Sequence, residues 1–153
     1  MSPAPTITVR YTRIRSADEE SCVPPIRSYS RDAGLDLTVS RSVVISPGAR
    51  AEIPTNLALE MPSGYWGWVV PRSSTFYIRG LEVHLGVIDE GYRGEVMILV
   101  RNPTDRKVTV QAGERLAQLL VLPRYMVEVV AVKELSPGDR REHGFGSTGG
   151  FGK

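Results

Sequence analysis

The sequence is poor in cysteine and histidine. Cys22 is the single cysteine, and His84 and His143 are the only histidines. One cysteine cannot form an internal disulfide, so a disulfide scaffold is excluded and a reducing compartment is favoured. We interpret Cys22, which precedes Pro24 and Pro25, as an unreactive loop thiol. With so few histidines, neither a Cys/His zinc site nor a Ser-His-Asp catalytic set is indicated.

Long apolar runs are also missing. None approaches the roughly 20 residues that a membrane-spanning helix needs. The N-terminus lacks the basic start and apolar core that are typical of a signal peptide. We therefore expect a soluble intracellular protein, cytoplasmic or nuclear, that does not bind a membrane.

An excess of one charge is missing as well, since the net charge is only +2. Domains that bind nucleic acid usually carry a concentrated basic stripe, so we expect no stable nucleic-acid binding. Hydrophobic residues make up 41% and charged residues 24% of the chain, as in ordinary globular proteins. A length of 153 residues suits one domain with a sizeable core.

What the sequence does have is a series of short β-prone runs separated by turn residues. This pattern predicts an all-β sandwich or barrel. Only residues 73–78 and 116–120 are also compatible with a helix, and neither segment is long. Residues 126–132 are expected to close the folded part. The other predicted strands lie at residues 7–13, 35–39, 43–45, 56–61, 65–70, 81–85 and 116–122.

The most informative stretch is residues 86–96, G-V-I-D-E-G-Y-R-G-E-V. Two apolar runs joined by a short turn that contains glycine predict a β-hairpin. Its tip combines Asp89, Tyr92 and Arg93, a set that a turn alone does not require. The glycines leave bare backbone groups that a flat ligand can approach closely.

From Ser136 onward the composition becomes rich in glycine. We therefore expect a β domain over residues 1–135 and a flexible glycine-rich C-terminal arm over residues 136–153. The arm contains arginines, hydroxyls and Phe145. Such a segment can wrap phosphates while the aromatic ring stacks on a base. It lacks the lysine and the following helix of a P-loop.

Two further segments offer groups that suit phosphate. The R-S-S sequence at residues 72–74 places hydroxyls and backbone amides at a turn after a β-run. The G-E-R-L-A-Q sequence at residues 113–118 places a cation and an amide three residues apart. Asp32, Asp36 and Asp89 add carboxylates, near which the divalent metal of a nucleotide commonly sits.

Five segments together resemble the five motifs of the trimeric deoxyuridine triphosphatases (dUTPases), in the same order. They are D-A-G-L-D-L, P-R-S-S-T, G-V-I-D-E-G-Y-R-G-E-V, G-E-R-L-A-Q-L-L and R-R-E-H-G-F-G-S-T-G. The resemblance covers nearly the whole chain, and its third and fifth segments are the most specific. Ser74 stands where the family commonly has glycine.

The resemblance implies a jelly-roll-like β domain that assembles as a homotrimer, with active sites shared between subunits. It implies hydrolysis of dUTP to dUMP and pyrophosphate with Mg2+. Two alternatives remain at this point. One is an enzyme like the dCTP deaminases, and the other is a non-catalytic nucleotide-binding module on the same fold.

The resemblance also implies roles for individual residues. Asp89 matches the general base that activates the water attacking the α-phosphate, and Tyr92 the residue packed under the sugar. The main chain at Gly86 matches the part that binds the uracil edge, and Asp36 a carboxylate near the metal's waters. Arg115 matches a structural arginine, and Phe145 the aromatic that stacks on the base. The implied phosphate contacts are Arg72, Ser73, Ser74, Gln118, Arg140, Ser147 and Thr148.

Overall fold

The structure is a computed structural model that describes residues 6–16 and 20–138. Its strands are β1 (Arg10–Arg13), β2 (Leu35–Thr38), β3 (Val43–Ile45), β4 (Arg50–Glu60), β5 (Tyr65–Pro71), β6 (Glu82–Val83), β7 (Gly86–Ile88), β8 (Glu95–Arg101), β9 (Val108–Val110) and β10 (Arg115–Pro123). Its helix is α1 (Ser73–Arg79). The predicted arm residues Arg140, Phe145, Ser147 and Thr148 lie outside the described residues.

Two four-stranded antiparallel sheets enclose the core. Their strand orders are β1-β4-β8-β6 and β2-β10-β5-β7, and β3 with β9 forms a small third sheet. One cluster of buried side chains draws on all three sheets, including Ile98 in β8, Leu119 in β10 and Val110 in β9. The predicted all-β class is confirmed.

The central strand β4 is buried on both faces between residues 53 and 59. Its pairing with β8 shifts register between Pro54 and Ala58. Asn56 lies in this irregular stretch with φ 58° and is fully buried. Its side-chain oxygen accepts a hydrogen bond from the Arg15 backbone N–H at 2.7 Å, and its amide donates to the Arg15 and Glu20 carbonyl oxygens at 3.3 and 3.2 Å. Asn56 therefore fixes the chain that leaves β1.

The prediction of a hairpin over residues 86–96 is wrong. β7 pairs with β5, whereas β8 pairs with β4 and β6. The turn after Ile88 therefore connects the two main sheets instead of joining two neighbouring strands. Local pattern reveals two strands and a turn, but the partner of each strand depends on contacts far away in the sequence.

Other predicted boundaries also change. The predicted strand at residues 7–13 is formed only over Arg10–Arg13, and that at residues 56–61 belongs to the longer strand β4. Residues 116–122 are part of β10, whereas residues 73–78 fall within α1. Residues 126–132 contain no strand and do not close the fold, because their apolar side chains are exposed.

Helix α1 is short because glycine ends it. Gly80 adopts φ 65°, and its N–H donates to the Phe76 carbonyl oxygen at 3.0 Å, which is a common way to end a helix. The buried Thr75 hydroxyl donates to the Leu116 carbonyl oxygen at 2.6 Å and fixes the helix against β10. In the described part of the chain, no helix has the length and apolarity needed to cross a membrane.

We predict that Asn56→Ala lowers the free energy of unfolding by about 2–4 kcal/mol, because buried backbone groups lose partners and alanine disfavours positive φ. Asn56→Gly tolerates this conformation, so it should cost about 1 kcal/mol less than alanine. Denaturant unfolding at matched chain concentration measures both. Equal losses of unfolding free energy in the two variants would contradict the cost assigned to the positive φ. No loss in either would contradict the contribution assigned to the hydrogen bonds of Asn56.

Candidate nucleotide-phosphate site

The carboxylate of Asp36 joins three segments of the chain. Asp36 lies in β2 and is only 7% exposed. Its Oδ1 accepts from Arg72 Nε at 2.7 Å, and its Oδ2 accepts from Arg115 Nη1 at 2.9 Å and from the Ser28 hydroxyl at 3.0 Å. Arg72 stands between β5 and α1, and Arg115 begins β10. The two guanidinium groups compensate a carboxylate that would otherwise be costly to bury.

A glycine in the first segment makes room for the glutamine of the fourth. A Cβ added at Gly34 would stand 2.1 Å from Gln118 Oε1. Gln118 is paired with Asp36 between β10 and β2, and its Nε2 donates to the Pro71 carbonyl oxygen at 3.0 Å. Glycine at position 34 therefore leaves room for the Gln118 side chain in the position it adopts here.

These segments line one cavity of about 390 Å³. Arg72 Nη1 donates to the Ser74 hydroxyl at 3.3 Å and to the Arg115 carbonyl oxygen at 3.0 Å, which orients its guanidinium group. The cavity thus combines a cation, hydroxyls and an amide, groups that suit phosphate oxygens. Its lining residues are Ser28, Tyr29, Asp32, Ala33, Gly34, Asp36, Arg72, Ser73, Ser74 and Gln118.

Asp89 lies at a different cavity, of about 520 Å³. The lining of this cavity shares no residue with that of the first, over the ranges the structure describes. Asp89 is exposed at the turn after β7, where the Tyr92 N–H donates to its carbonyl oxygen at 3.0 Å. The structure therefore gathers the first, second and fourth predicted segments within one chain and leaves the third apart.

Tyr92 folds back over Gly94. A Cβ at Gly94 would stand 2.4 Å from the Tyr92 hydroxyl oxygen, so glycine leaves room for the ring in this position. The hydroxyl donates to the Glu95 carbonyl oxygen at 2.9 Å. Tyr92 is thereby held at the turn with 42% of its surface exposed.

The sequence did not indicate a role for Glu90, whose side chain connects the Asp89 turn to the rest of the fold. Its Oε2 accepts from the Gly64 N–H at 3.1 Å and from Arg124 Nη2 at 3.0 Å. The Gly64 N–H, followed by the Arg124 guanidinium group, lowers the pKa of Glu90. Ser28, which reaches Asp36, was missed as well. The partners lie far apart in the sequence, so no local pattern could have paired them.

A sandwich of antiparallel sheets with a cation- and hydroxyl-lined cavity defines a protein suited to binding a phosphorylated ligand. The dUTPase family model matches residues 21–149, which is most of the chain. The chain therefore belongs to the dUTPase family.

Individual relatives agree with this assignment. A deoxyuridine 5'-triphosphate nucleotidohydrolase of Hydrogenobaculum sp. is 41% identical over 133 residues, covering 85% of this chain and 92% of the relative. One of Paramecium bursaria Chlorella virus 1 is 36% identical over 130 residues, covering 85% of this chain and 92% of the relative.

Solved structures also resemble the chain. The dUTPase of Staphylococcus bacteriophage 80alpha, in complex with dUpNHpp, superposes with a TM-score of 0.85 at 28% identity, covering 94% of this chain and 99% of that one. A dUTPase mutant of phage phi11 of S. aureus, whose structure reveals the coordination of a structural Mg(II) ion, gives a TM-score of 0.77 at 25% identity, covering 86% and 100%.

We predict that Gly34→Ala destabilises the protein because the new methyl group meets Gln118. The loss should be about 1 kcal/mol, at the low end of the cost of overpacking, because the end of the Gln118 side chain can move aside. Adding Gln118→Ala should restore much of it by removing the obstructing side chain. Thermal unfolding of both single variants and the double variant checks this, and a double variant no more stable than Gly34→Ala would contradict the steric explanation.

Proposed function

We propose that the protein hydrolyses dUTP to dUMP and pyrophosphate. The observation that carries this proposal is the convergence of three dUTPase-like segments on one cavity, with Arg72, Ser73, Ser74 and Gln118 in its lining. In the reaction, a water oxygen bonds to the α-phosphorus and the bond to the bridging oxygen breaks. Pyrophosphate leaves, and the proton of the water passes to a base.

The phosphates would bind in the cavity around Arg72. Asp36 and the Arg115 carbonyl oxygen already orient its guanidinium group, so little side-chain entropy is lost when a phosphate binds. The hydroxyls of Ser73 and Ser74 and the amide of Gln118 supply further polar contacts. Fixed donors of this kind stabilise charge that develops on the phosphates in the transition state.

Asp89 is the proposed general base. Its side chain is exposed, and it makes no hydrogen bond or ion pair among the described residues, so both carboxylate oxygens are available to a water. Aspartate is a weak base in water, and its contribution lies in holding that water in line for attack as well as in accepting its proton.

The nucleoside would bind along β7 and the following turn. β7 is an edge strand of its sheet, with β5 on one side only. Its other edge carries backbone donors and acceptors that can read the uracil edge near Gly86. The Tyr92 ring would pack under the sugar, where a 2′-hydroxyl would clash. Phe145, outside the described residues, would stack on the base from the arm.

Mg2+ is the proposed cofactor, held mainly by the substrate. The described residues contain no cluster of three or more side chains that could hold a metal ion by themselves. Asp36 Oδ2 already accepts two hydrogen bonds, whereas Oδ1 accepts only the one from Arg72. Asp36 therefore fits a contact through a metal-bound water. Bound Mg2+ would neutralise charge on the phosphates.

The assembly we propose is a homotrimer with shared active sites. Asp89 and the phosphate cavity are separate within one chain, so a complete site needs groups from more than one subunit. Beyond β10 lies a run of apolar side chains that the described part of the chain leaves exposed. Tyr125, Met126, Val127, Val129, Val130, Val132 and Leu135 are each at least 58% exposed.

The glycine-rich arm would complete the site. We place the division between β domain and arm at residue 136, and we assign Arg140, Ser147 and Thr148 to the phosphates on the basis of family resemblance. Fixing a glycine-rich backbone is entropically costly, so nucleotide contacts would be needed to order it. Closure over the nucleotide would exclude water from the reacting phosphate.

We predict that Asp89→Asn loses turnover of dUTP by at least about 100-fold, because the amide cannot accept the proton. Binding of dUpNHpp should persist, since the amide keeps the shape of the side chain. Pyrophosphate release with Mg2+ and calorimetric titration measure the two effects. Near-normal kcat would remove Asp89 from this role. Deamination of dCTP by the unaltered protein, or no turnover of dUTP, would instead contradict the proposed reaction.

We predict that the protein sediments as three chains of 16.8 kDa each. Val127→Asp with Val129→Asp should dissociate it and abolish turnover, because charges would have to be buried at the subunit contact. Glu128→Gln, in the same exposed segment, removes a charge without adding one and should leave the assembly intact. A monomer of the unaltered protein that turns over dUTP would contradict the shared site.

A further inference from the structure

The turn that carries Asp89 is tied to the rest of the fold by its neighbour, Glu90. The Glu90 carboxylate reaches the turn before β5 through the Gly64 N–H and the end of β10 through Arg124. Gly64 itself has φ 79° and accepts a 2.7 Å hydrogen bond from the Arg124 N–H at its carbonyl oxygen. Gly64, Glu90 and Arg124 thus form a closed set of contacts, which we call the Glu90 clamp.

The Glu90 clamp on one side and Arg93 on the other hold the Asp89 turn. Asp89, Glu90 and Arg124 line the same cavity of about 520 Å³. On the other side of the turn, Arg93 Nη1 donates to the Glu90 carbonyl oxygen at 2.8 Å. The backbone that carries Asp89 is therefore fixed by contacts to the adjacent residue, while Asp89 itself makes no described contact that would hold its side chain.

The ion pair between Glu90 and Arg124 contributes little to the stability of the single chain. The Glu90 and Arg124 side chains are 32% and 45% exposed, and exposed ion pairs contribute little to folding. Fixing the direction of a neighbouring carboxylate is a different requirement. A water must be held in line with the bond that breaks, and an error of about 1 Å in such a geometry can cost about 100-fold in rate.

We propose that Glu90 is a positioning residue that, through Gly64 and Arg124, sets the direction of Asp89 toward the attacking water. This inference rests on the proposed function, in which Asp89 is the base. It assigns to Glu90 a role in the rate of the chemical step and none in binding the nucleotide.

The test compares Glu90→Gln, Arg124→Gln and the double variant with the unaltered trimer. Each single change should lower kcat by about 10- to 100-fold, with KM for dUTP and the affinity for dUpNHpp unchanged. The double variant should be no slower than the slower single variant, because the two residues act as one unit. Glu82→Gln, which removes the exposed ion pair with Arg101, is the matched control and should keep full kcat.

The pH profile of kcat distinguishes a positioning role of Glu90 and Arg124 from a purely electrostatic effect of their charges. Removing the Glu90 charge should move the acid limb of the profile to lower pH, and removing the Arg124 charge should move it to higher pH. If the two residues position Asp89, the plateau value of kcat should be lower in both variants despite these opposite shifts. Opposite limb shifts with an unchanged plateau would overturn the proposal.

Asp89→Asn distinguishes the two possible failures. If that variant keeps its turnover, Asp89 is not the base, and both the proposed mechanism and this inference fall. If it loses turnover while both clamp variants match Glu82→Gln, only the positioning role is wrong. Sedimentation and thermal unfolding of every variant confirm that the comparison is made on folded trimers.

Discussion

The arrangement of the phosphate cavity depends on the buried carboxylate of Asp36. Arg72 and Arg115, from two other segments of the chain, contact it at 2.7 and 2.9 Å. Desolvation offsets much of the attraction in such a buried pair, so its main effect is geometric. The Asp36 carboxylate thus connects β2, the start of β10 and the residue that precedes α1, and Arg72 lines the cavity. Loss of the carboxylate would leave two cations facing each other without compensation.

The phosphate cavity and the proposed base lie toward opposite ends of β5, because Ile88 pairs with Gly67 whereas Arg72 follows Pro71. β7 and β8 belong to different sheets, so the Asp89 turn emerges where the chain crosses between them. Arg124, at the end of β10, contacts that turn and also starts the exposed apolar segment. In the proposed homotrimer, the turn of one subunit would meet the phosphate cavity of another. The exposed segment would supply the apolar surface that holds them together.

The features that could be predicted from the sequence are those set by neighbouring residues. The aromatic and β-branched residues at positions 65–70 predict a strand, and β5 covers them. The sheets to which β7 and β8 belong could not be predicted, because alternation of side chains within a strand does not specify which other strand pairs with it. The mostly apolar sequence of residues 126–132 predicts a part of the core, but apolarity does not specify which chain covers these residues. Glu90 and Arg124 were missed because their contact spans distant positions.

The central claim is that each active site combines Asp89 of one subunit with the phosphate cavity of another. Mixing two inactive variants tests it directly. Asp89→Asn and Arg72→Gln chains would be dissociated together, reassembled at equal concentration and assayed for pyrophosphate release from dUTP. If the site is shared, about one third of the sites in trimers that contain both chains would be intact, which is about one quarter of all sites in the mixture, and activity would return in that proportion. Activity no higher than that of the two parents, in trimers shown to contain both chains, would contradict the claim.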